Sequence, residues 1–152
     1  MKRISSHYIN KSKDLIFYSL GDSGLNNLPF YSESVPAGFP SPAEDFMDLD
    51  INLHEYLVQH PSATFFVRVV GDSMIEAGIH SGDVMVVDRA LEPKNKSIVL
   101  AVLEGEFTVK RIKKNKEQLF LIPENDQFSP ITITEEIDFQ VWGVVTHVIH
   151  KL

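Results

Sequence analysis

The sequence predicts a mostly β protein: a rolled antiparallel β body with a short helix and an extended N-terminal arm. Three observations favour this fold class. Seven short apolar or alternating segments follow one another after residue 64, turn-forming residues separate them, and prolines gather before residue 48. The 152 residues, 43% hydrophobic and 23% charged, have the composition of one ordinary globular domain with a tail.

The first 48 residues are predicted to form the extended arm. They hold four prolines, at positions 29, 36, 40 and 42, and show no sustained apolar period. The stretch 14–20 has the best apolar run of the arm, and it fits a short strand as well as one helical turn. The sequence leaves these two possibilities open.

Residues 49–152 are predicted to form the β domain, which begins with a short helix. Asn52 and Glu55 have the spacing of a capping box, an N-cap side chain followed three residues later by Glu. The helix should run to about Gln59, because Pro61 pushes the residue before it out of the helical region.

Seven strands are predicted in the rest of this domain. Each is a short run rich in apolar, β-branched or aromatic residues. Turns are expected at Glu104–Gly105 and at Lys114–Asn115, because Gly and Asn tolerate the positive φ that tight hairpins require. The predicted strands are Phe65–Val70, Val84–Asp88, Ile98–Leu103, Phe107–Ile112, Gln118–Ile122, Ile131–Thr134 and Phe139–Ile149.

The lack of cysteine and the negative charge exclude several kinds of function. Disulfides, thiolate zinc sites and cysteine nucleophiles are impossible. The 14 Lys and Arg against 21 Asp and Glu give a net charge of -7, which opposes non-specific binding to nucleic-acid phosphates. No apolar run approaches the ~18–20 residues of a membrane span, and the start lacks a secretory apolar stretch. We therefore expect a cytoplasmic protein without membrane contact.

Six histidines raise the question of a metal site. Only His147 and His150 lie close together along the chain, and residues three apart in a strand point to opposite faces. The spacing therefore predicts scattered surface histidines, with no metal site and no cofactor.

A basic segment follows the Gly105 turn, with five positive charges in the seven residues Lys110–Lys116. It fits a solvated hairpin, whose charges discourage edge-to-edge pairing, and it also fits a contact with nucleic acid or an acidic partner. Lys110 differs from the other lysines of this segment, because strand alternation places it on one face with Thr108 and Ile112. We expect Lys110 to be partly buried.

A second unusual place is the end of the first apolar strand, where Gly71 and Asp72 deliver Ser73 to a tight turn. One interpretation is that Asp72 or Ser73 caps the following turn, which reaches Gly78. The other is a nucleophile, since a lysine in an apolar strand can serve as its base. Burial disfavours the ammonium ion and lowers the lysine pKa, which leaves a neutral amine able to take the serine proton.

The third place lies in the arm, at Val35–Pro40. Pro36 and Pro40 favour an extended backbone, the shape that a protease cleft accepts. Ala37 and Gly38 have small side chains, which let a nucleophile approach the peptide bond between them closely. An ordinary linker is the alternative interpretation.

Taken together, these places resemble the self-cleaving family that includes the LexA repressor and UmuD. The resemblance covers about residues 36–149 and is closer to UmuD than to LexA. The shared motifs are Ala37–Gly38, Gly71–Met74, Ser81–Asp83 with the strand that ends at Val87–Asp88, and Gly105–Lys110. The segments that most resemble UmuD are Gly38–Ala43, His60–Thr64 and Phe128–Ile133.

The resemblance implies a LexA- and signal-peptidase-like fold and a serine endopeptidase that cuts its own chain. In this family Ser73 would be the nucleophile, Lys110 the general base and Ala37–Gly38 the bond cut. Backbone amides of the turn at Ser73 and Met74 would hold the oxyanion. The bond is Ala-Gly, as in LexA-like members, whereas some UmuD proteins have Cys-Gly, and the arm is longer than the family pattern leads us to expect.

By the same resemblance, we expect a homodimer that takes part in SOS mutagenesis after DNA damage. RecA nucleoprotein filaments would stimulate the cleavage, and the shortened chain would join a UmuC-type translesion DNA polymerase. Direct sequence-specific DNA binding is not expected. A helix-turn-helix domain needs three helices, more than the 37 residues before the cut supply.

Two other classes of function remain open at this point. A signal-peptidase-like processing protease shares the Ser-Lys chemistry, but it acts at membranes, and no anchor is predicted here. A catalytically silent dimerisation or interaction module would keep the fold without any cleavage.

Overall fold

The computed structural model describes residues 8–12, 15–18, 28–31 and 47–152, with side chains from residue 51 onward. The helix α1 spans Leu53–Leu57, and a short 3₁₀ turn spans Ile75–Ala77. The strands in chain order are β1 Tyr8–Ser12, β2 Leu15–Tyr18, β3 Leu28–Tyr31, β4 Met47–Ile51, β5 Thr64–Val69, β6 Val84–Asp88, β7 Ile98–Leu103, β8 Glu106–Lys114, β9 Leu119–Ile122, β10 Ile131–Ile133 and β11 Phe139–Ile149.

The chain forms two compact units, a larger one of Met1–Gly21 with His60–Leu152 and a smaller one of Asp22–Gln59. The larger unit contains a nine-stranded sheet in the order β1-β2-β5-β6-β11-β7-β8-β9-β10. All of its pairings are antiparallel. The expected mostly antiparallel β fold with little helix is confirmed.

The seven strands predicted after residue 64 are all present, as β5 to β11. Their ends differ from the prediction by at most two residues, and the largest difference is at β8, which continues to Lys114. The pattern succeeded because these strands are apolar or alternating runs bounded by turn residues.

The region predicted to be an extended arm contains strands that its prolines did not indicate. β1 and β2 form a hairpin, and β2 pairs with β5 in the large sheet. The stretch 14–20, which fitted a strand or a helical turn, contains strand β2. One of its two partner strands is the distant β5, and pairing between segments so far apart leaves no local signal. The division into an arm of residues 1–48 and a β domain of residues 49–152 stays a prediction.

In the smaller unit, β3 pairs with β4 and α1 follows. The predicted helix start is confirmed, because the Asn52 side chain accepts hydrogen bonds from the backbone N–H of His54 (3.1 Å) and of Glu55 (3.4 Å). The helix ends at Leu57, two residues before the predicted end, since Val58 already has an extended backbone. Among the described residues, no helix is long and apolar enough to cross a membrane.

The core of the larger unit lies on both faces of β7. Leu100 packs into one cluster, while its neighbours Val99 and Ala101 pack into a second. Alternation along a strand produces this division, and a strand buried on both faces is a continuous apolar run. The first core cluster is Val67, Val69, Met74, Ile79, Met85, Val87, Leu100 and Val109, and the second is Val99, Ala101, Ile112 and Leu121.

Both predicted turns are present, but the positive φ expected at Asn115 is not, because its side chain holds that turn instead. Glu104 and Gly105 have φ angles of 50° and 81°, the left-handed pair that a two-residue hairpin between β7 and β8 requires. The Asn115 side chain accepts hydrogen bonds from the backbone N–H of Glu117 (3.0 Å) and of Gln118 (2.7 Å), which holds the turn between β8 and β9.

Gly143 lies in β11 at a place with no room for a side chain. The register of β11 against β7 shifts between Val141 and Gly143. A Cβ atom on Gly143 would lie 2.7 Å from Cγ1 of Val87 and 3.1 Å from the backbone oxygen of Asp88. Val87 is fully buried, and its β-branched side chain has few alternative rotamers, so it cannot move aside freely.

We predict that Gly143→Ala destabilises the larger unit by about 1–3 kcal/mol, the usual cost of overpacking a filled core. Chemical denaturation followed by Trp142 fluorescence measures this loss. Gln140→Ala, at an exposed position of the same strand, is the control and should change the free energy of unfolding by less than about 0.5 kcal/mol. Equal stability of the Gly143→Ala variant and the wild type would contradict the packing described here.

Candidate active site

An open groove of about 280 Å³ lies between the end of β5 and strand β8. It is lined by Val69–Met74, at the end of β5 and in the turn after it, by Phe107–Lys110 of β8, and by Phe128. The two segments that the sequence singled out in the β domain, the serine turn and the lysine strand, therefore meet in one groove.

Ser73 lies in a turn that is fixed on both sides. Before it, Gly71 has a φ of 100°, which favours glycine. After it, the Met74 side chain is buried in the first core cluster. The 3₁₀ turn begins at Ile75, whose N–H donates to the backbone oxygen of Asp72 at 3.1 Å, and no side chain caps it. The interpretation that the Asp72 or Ser73 side chain caps this turn is therefore wrong.

The Lys110 side chain is buried beside Ser73, which confirms the burial expected from strand alternation. Lys110 is 8% exposed, and its Nζ lies 3.3 Å from Ser73 Oγ. Nζ also donates to Thr108 Oγ1 at 2.9 Å and to the backbone oxygen of Val109 at 2.9 Å. Burial lowers the pKa of Lys110 below its ordinary value, because the ammonium ion loses its hydration there.

Thr108 is a residue of the site that was not predicted as one. Its position two residues before Lys110 puts both side chains on one face of β8, and its hydroxyl oxygen accepts a hydrogen bond from Nζ. The alternation of the strand was therefore a sufficient signal for the shared face. The hydrogen bond between Nζ and Thr108 Oγ1 depends on the rotamer of the lysine side chain, which a sequence pattern does not specify.

The loop after β9 holds the serine turn in place. The backbone N–H of Glu124 donates to the backbone oxygen of Ser73 at 2.9 Å, and Asn125 Nδ2 donates to the backbone oxygen of Asp72 at 3.0 Å. Glu124 forms an ion pair with Arg111 of β8. Asn125 and Asp72 are 53 positions apart, which is why no motif indicated this support.

The oxyanion donors and the bond to be cut complete the set of predicted site residues. In the part of the chain with described side chains, the backbone N–H groups of Ser73 and Met74 donate no hydrogen bond. Both N–H groups therefore keep their capacity to donate, and both residues line the groove. Ala37 and Gly38 lie outside the described residues, so their place at the site stays a prediction.

The basic segment Lys110–Lys116 belongs to the hairpin of β8 and β9, and its cations have different surroundings. Lys110 is buried, and Arg111 pairs with Glu124 and donates to the backbone oxygen of Lys96 at 2.8 Å. The other lysines of the segment are exposed. The hairpin is confirmed. The alternative, that the exposed lysines bind nucleic acid or an acidic partner, stays a prediction.

Two histidines that were predicted to be scattered lie together. The ring nitrogens of His80 and His150 and the carboxylate of Asp83 provide donor atoms that all lie within 4.8 Å of one another. The prediction of scattered histidines is therefore wrong for these two. Spacing along the chain could not reveal the cluster, because His150 and Asp83 are 67 positions apart.

The sequence is similar to known proteins over the segments that line this groove. The chain matches the model of the Peptidase S24-like family over residues 29–146. It is similar to Protein MucA of Salmonella typhimurium, with 47% identity over 133 residues that cover 87% of this chain and 90% of MucA. It is also similar to Protein SamA of Salmonella typhimurium strain LT2, with 50% identity over 123 residues that cover 81% of this chain and 85% of SamA.

A third relative extends the likeness to a repressor. LexA repressor 2 of Pseudomonas syringae pv. tomato is 41% identical over 87 residues, which cover 57% of this chain and 43% of that repressor. The family match spans most of the chain and includes the groove and both of its facing segments. The chain therefore belongs to the Peptidase S24-like family, a family of serine peptidases, and it lies among the UmuD-like members of that family.

Proposed function

We propose that this chain is a UmuD-like serine endopeptidase that cuts its own backbone between Ala37 and Gly38. Ser73 is the nucleophile and Lys110 is the general base. One observation carries the proposal: a buried lysine amine lies 3.3 Å from the hydroxyl oxygen of a serine at the end of a strand. Membership of a peptidase family supports the same conclusion.

The neutral form of Lys110 can make all the hydrogen bonds of its Nζ atom. A neutral amine has two N–H groups and one lone pair. Thr108 Oγ1 and the backbone oxygen of Val109, both at 2.9 Å, take the two N–H groups. The lone pair then remains for the hydroxyl proton of Ser73. Since burial lowers the pKa of Lys110, the neutral form is reached at a lower pH than for an exposed lysine.

The reaction follows from these positions. Ser73 Oγ attacks the carbonyl carbon of Ala37 while Lys110 Nζ takes the hydroxyl proton, and the backbone N–H groups of Ser73 and Met74 bind the oxyanion that forms. The C–N bond then breaks as the Lys110 ammonium returns its proton to the amine of Gly38. Water, with Lys110 again as base, hydrolyses the ester between Ala37 and Ser73, which restores the hydroxyl.

The groove suits an extended apolar segment of the chain. Val70 and Phe128 are each about half exposed at its edge, and such apolar surface can bind Val35 and Phe39 on either side of the bond. The prolines of the arm favour the extended backbone that this docking needs. Because the arm is covalently attached, docking requires no collision between separate molecules, and its population sets the cleavage rate.

The biological role we propose is that of a UmuD-like protein of SOS mutagenesis. The chain acts as a homodimer, RecA filaments on single-stranded DNA stimulate its cleavage by favouring the docked arm, and the shortened form joins a UmuC-type translesion polymerase. Similarity to the UmuD-like proteins MucA and SamA over more than four fifths of the chain supports this role. The net charge of -7 agrees with a function that needs no direct contact with DNA phosphates.

The first prediction of this mechanism concerns the two reacting groups. With RecA filaments on single-stranded DNA, the wild type should yield a fragment that begins at Gly38, as identified by N-terminal sequencing. Ser73→Ala and Lys110→Met should each lower the cleavage rate by at least about a thousandfold, because the nucleophile or its base is lost. Methionine keeps the buried aliphatic volume of the lysine.

The control for this experiment is Lys113→Ala, which removes an exposed lysine of the same strand and should leave the cleavage rate within about twofold of the wild type. Thermal unfolding should show that all these variants are folded. A fragment beginning at Gly38 from the Ser73→Ala variant would overturn the assignment of the nucleophile. An intact wild-type chain would favour a catalytically silent module.

A second prediction concerns pH. The protonated amine of Lys110 cannot accept the Ser73 proton, so spontaneous cleavage without RecA should rise about tenfold per pH unit below the pKa of Lys110 and level off above it. Because burial lowers this pKa, the midpoint should lie below 10.5. Lys110→Arg, whose guanidinium keeps its charge, should be inactive throughout. A rate that falls with rising pH, or a midpoint at or above the ordinary lysine value, would contradict the role of Lys110.

A third prediction concerns Thr108 as a positioning residue. Thr108→Val removes the oxygen that accepts from Nζ but keeps the shape of the side chain. We expect cleavage about fivefold slower at every pH, since one hydrogen bond contributes roughly 1 kcal/mol, which corresponds to about a factor of five in rate. Thr108→Ser should restore most of the rate, which a merely structural role of the methyl group would not explain. An unchanged rate in Thr108→Val would show that Val109 alone orients the amine.

A further inference from the structure

A cluster of three side chains lies where β11 ends beside the loop between the 3₁₀ turn and β6. His150, directly after β11, has its Nδ1 2.6 Å from Oδ1 of Asp83. His80 Nδ1 lies 3.7 Å from the other carboxylate oxygen of the same residue. All three donor groups lie within 4.8 Å of one another, and none of them contributes to the groove described above.

The carboxylate of Asp83 is buried and held in one orientation. Asp83 is 4% exposed, and its Oδ2 accepts a hydrogen bond from the backbone N–H of His80 at 2.8 Å. His150 Nδ1 lies 2.6 Å from the other oxygen, Oδ1. A carboxylate held in one orientation thus faces two imidazole rings.

The Nδ1 atom of His80 lacks a hydrogen-bond partner. It is inaccessible to solvent and is the single side-chain nitrogen or oxygen in this condition within the part of the chain with described side chains. Buried polar atoms are nearly always satisfied, so such an atom calls for an explanation. A positively charged ligand between this nitrogen, the Asp83 carboxylate and His150 would satisfy it.

The distances match a metal ion with small adjustments. Around a tetrahedral ion with bonds of about 2.0–2.1 Å, neighbouring donor atoms lie roughly 3.3 Å apart. The separation between His150 Nδ1 and Asp83 Oδ1 is 2.6 Å, and that between His80 Nδ1 and Asp83 Oδ2 is 3.7 Å, so they lie on either side of this value. The donor atoms of the two histidines lie within 4.8 Å of each other. The side chains of His80 and His150 are 44% and 45% exposed, so a small turn of the His80 ring would open its shielded Nδ1 to an ion from solvent.

We propose that His80, Asp83 and His150 bind a divalent transition-metal ion, with Zn²⁺ the expected species. Two imidazole nitrogens and one carboxylate oxygen are a donor set typical of this class of ion, and a water molecule supplies the fourth ligand. On binding, the ion takes the place of the hydrogen between His150 Nδ1 and Asp83, and the neutral ring carries its one proton on Nε2 instead. The ion would connect the end of β11 with the loop before β6.

The test is a calorimetric titration of the full chain, without a histidine tag, with ZnCl₂. We expect one ion per chain. His80→Asn and His150→Asn keep a hydrogen-bonding group near the Nδ1 position but offer a poor ligand. Each should weaken Zn²⁺ binding by at least about tenfold. Loss of a residue that only supports a metal ligand already has an effect of about this size. The matched control is His147→Asn. His147 lies in β11, three residues before His150, and this variant should bind Zn²⁺ as tightly as the wild type does.

A second measurement identifies the atoms that bind. Ring ¹⁵N spectra of the histidines should show that Zn²⁺ shifts the Nδ1 signals of His80 and His150 and leaves those of His147 unchanged. Absence of binding in the titration, or equal binding by the wild type and both Asn variants, would overturn the proposal. Binding with shifts confined to other histidines would overturn it as well.

Discussion

The exclusion of water from one amine is the constraint on which the rest of the site depends. Lys110 lies on β8, away from the edges of the sheet, and it is buried, whereas the lysines further along the same strand are exposed. Val69 and Met74 of the first core cluster line the same groove as Lys110 and supply apolar surface beside it. The same packing that stabilises the fold therefore also sets the protonation of the lysine.

The serine must be as firmly placed as the lysine, and two separate loops hold it. On one side, the Gly71 N–H donates to Ser81 Oγ at 3.3 Å. On the other, Glu124 and Asn125 bind the backbone oxygens of Ser73 and Asp72. A turn supported from both directions needs little reorganisation when charge develops next to it, and this is the condition under which backbone N–H groups stabilise an oxyanion well.

Predictability from sequence followed the range of each interaction. The strands β5 to β11 were predictable because alternation and turn residues are local, and the capping by Asn52 is local too. Ser73 and Lys110 were predictable as a pair from a rigid strand end, an alternating strand and a family resemblance. The support of the serine turn by Asn125 and the contact of His150 with Asp83 were not predictable, because each joins residues more than fifty positions apart.

The two sites of the larger unit share a stretch of backbone. The Val69 N–H donates to the backbone oxygen of Asp83 at 2.9 Å, and the Gly82 N–H donates to the backbone oxygen of Val69 at 2.8 Å. The loop that carries two members of the histidine cluster therefore also holds the strand end that leads to Ser73. A metal ion there would stabilise the single arrangement in which both contacts exist. An ion that binds only the folded chain would raise the free energy of unfolding of the larger unit.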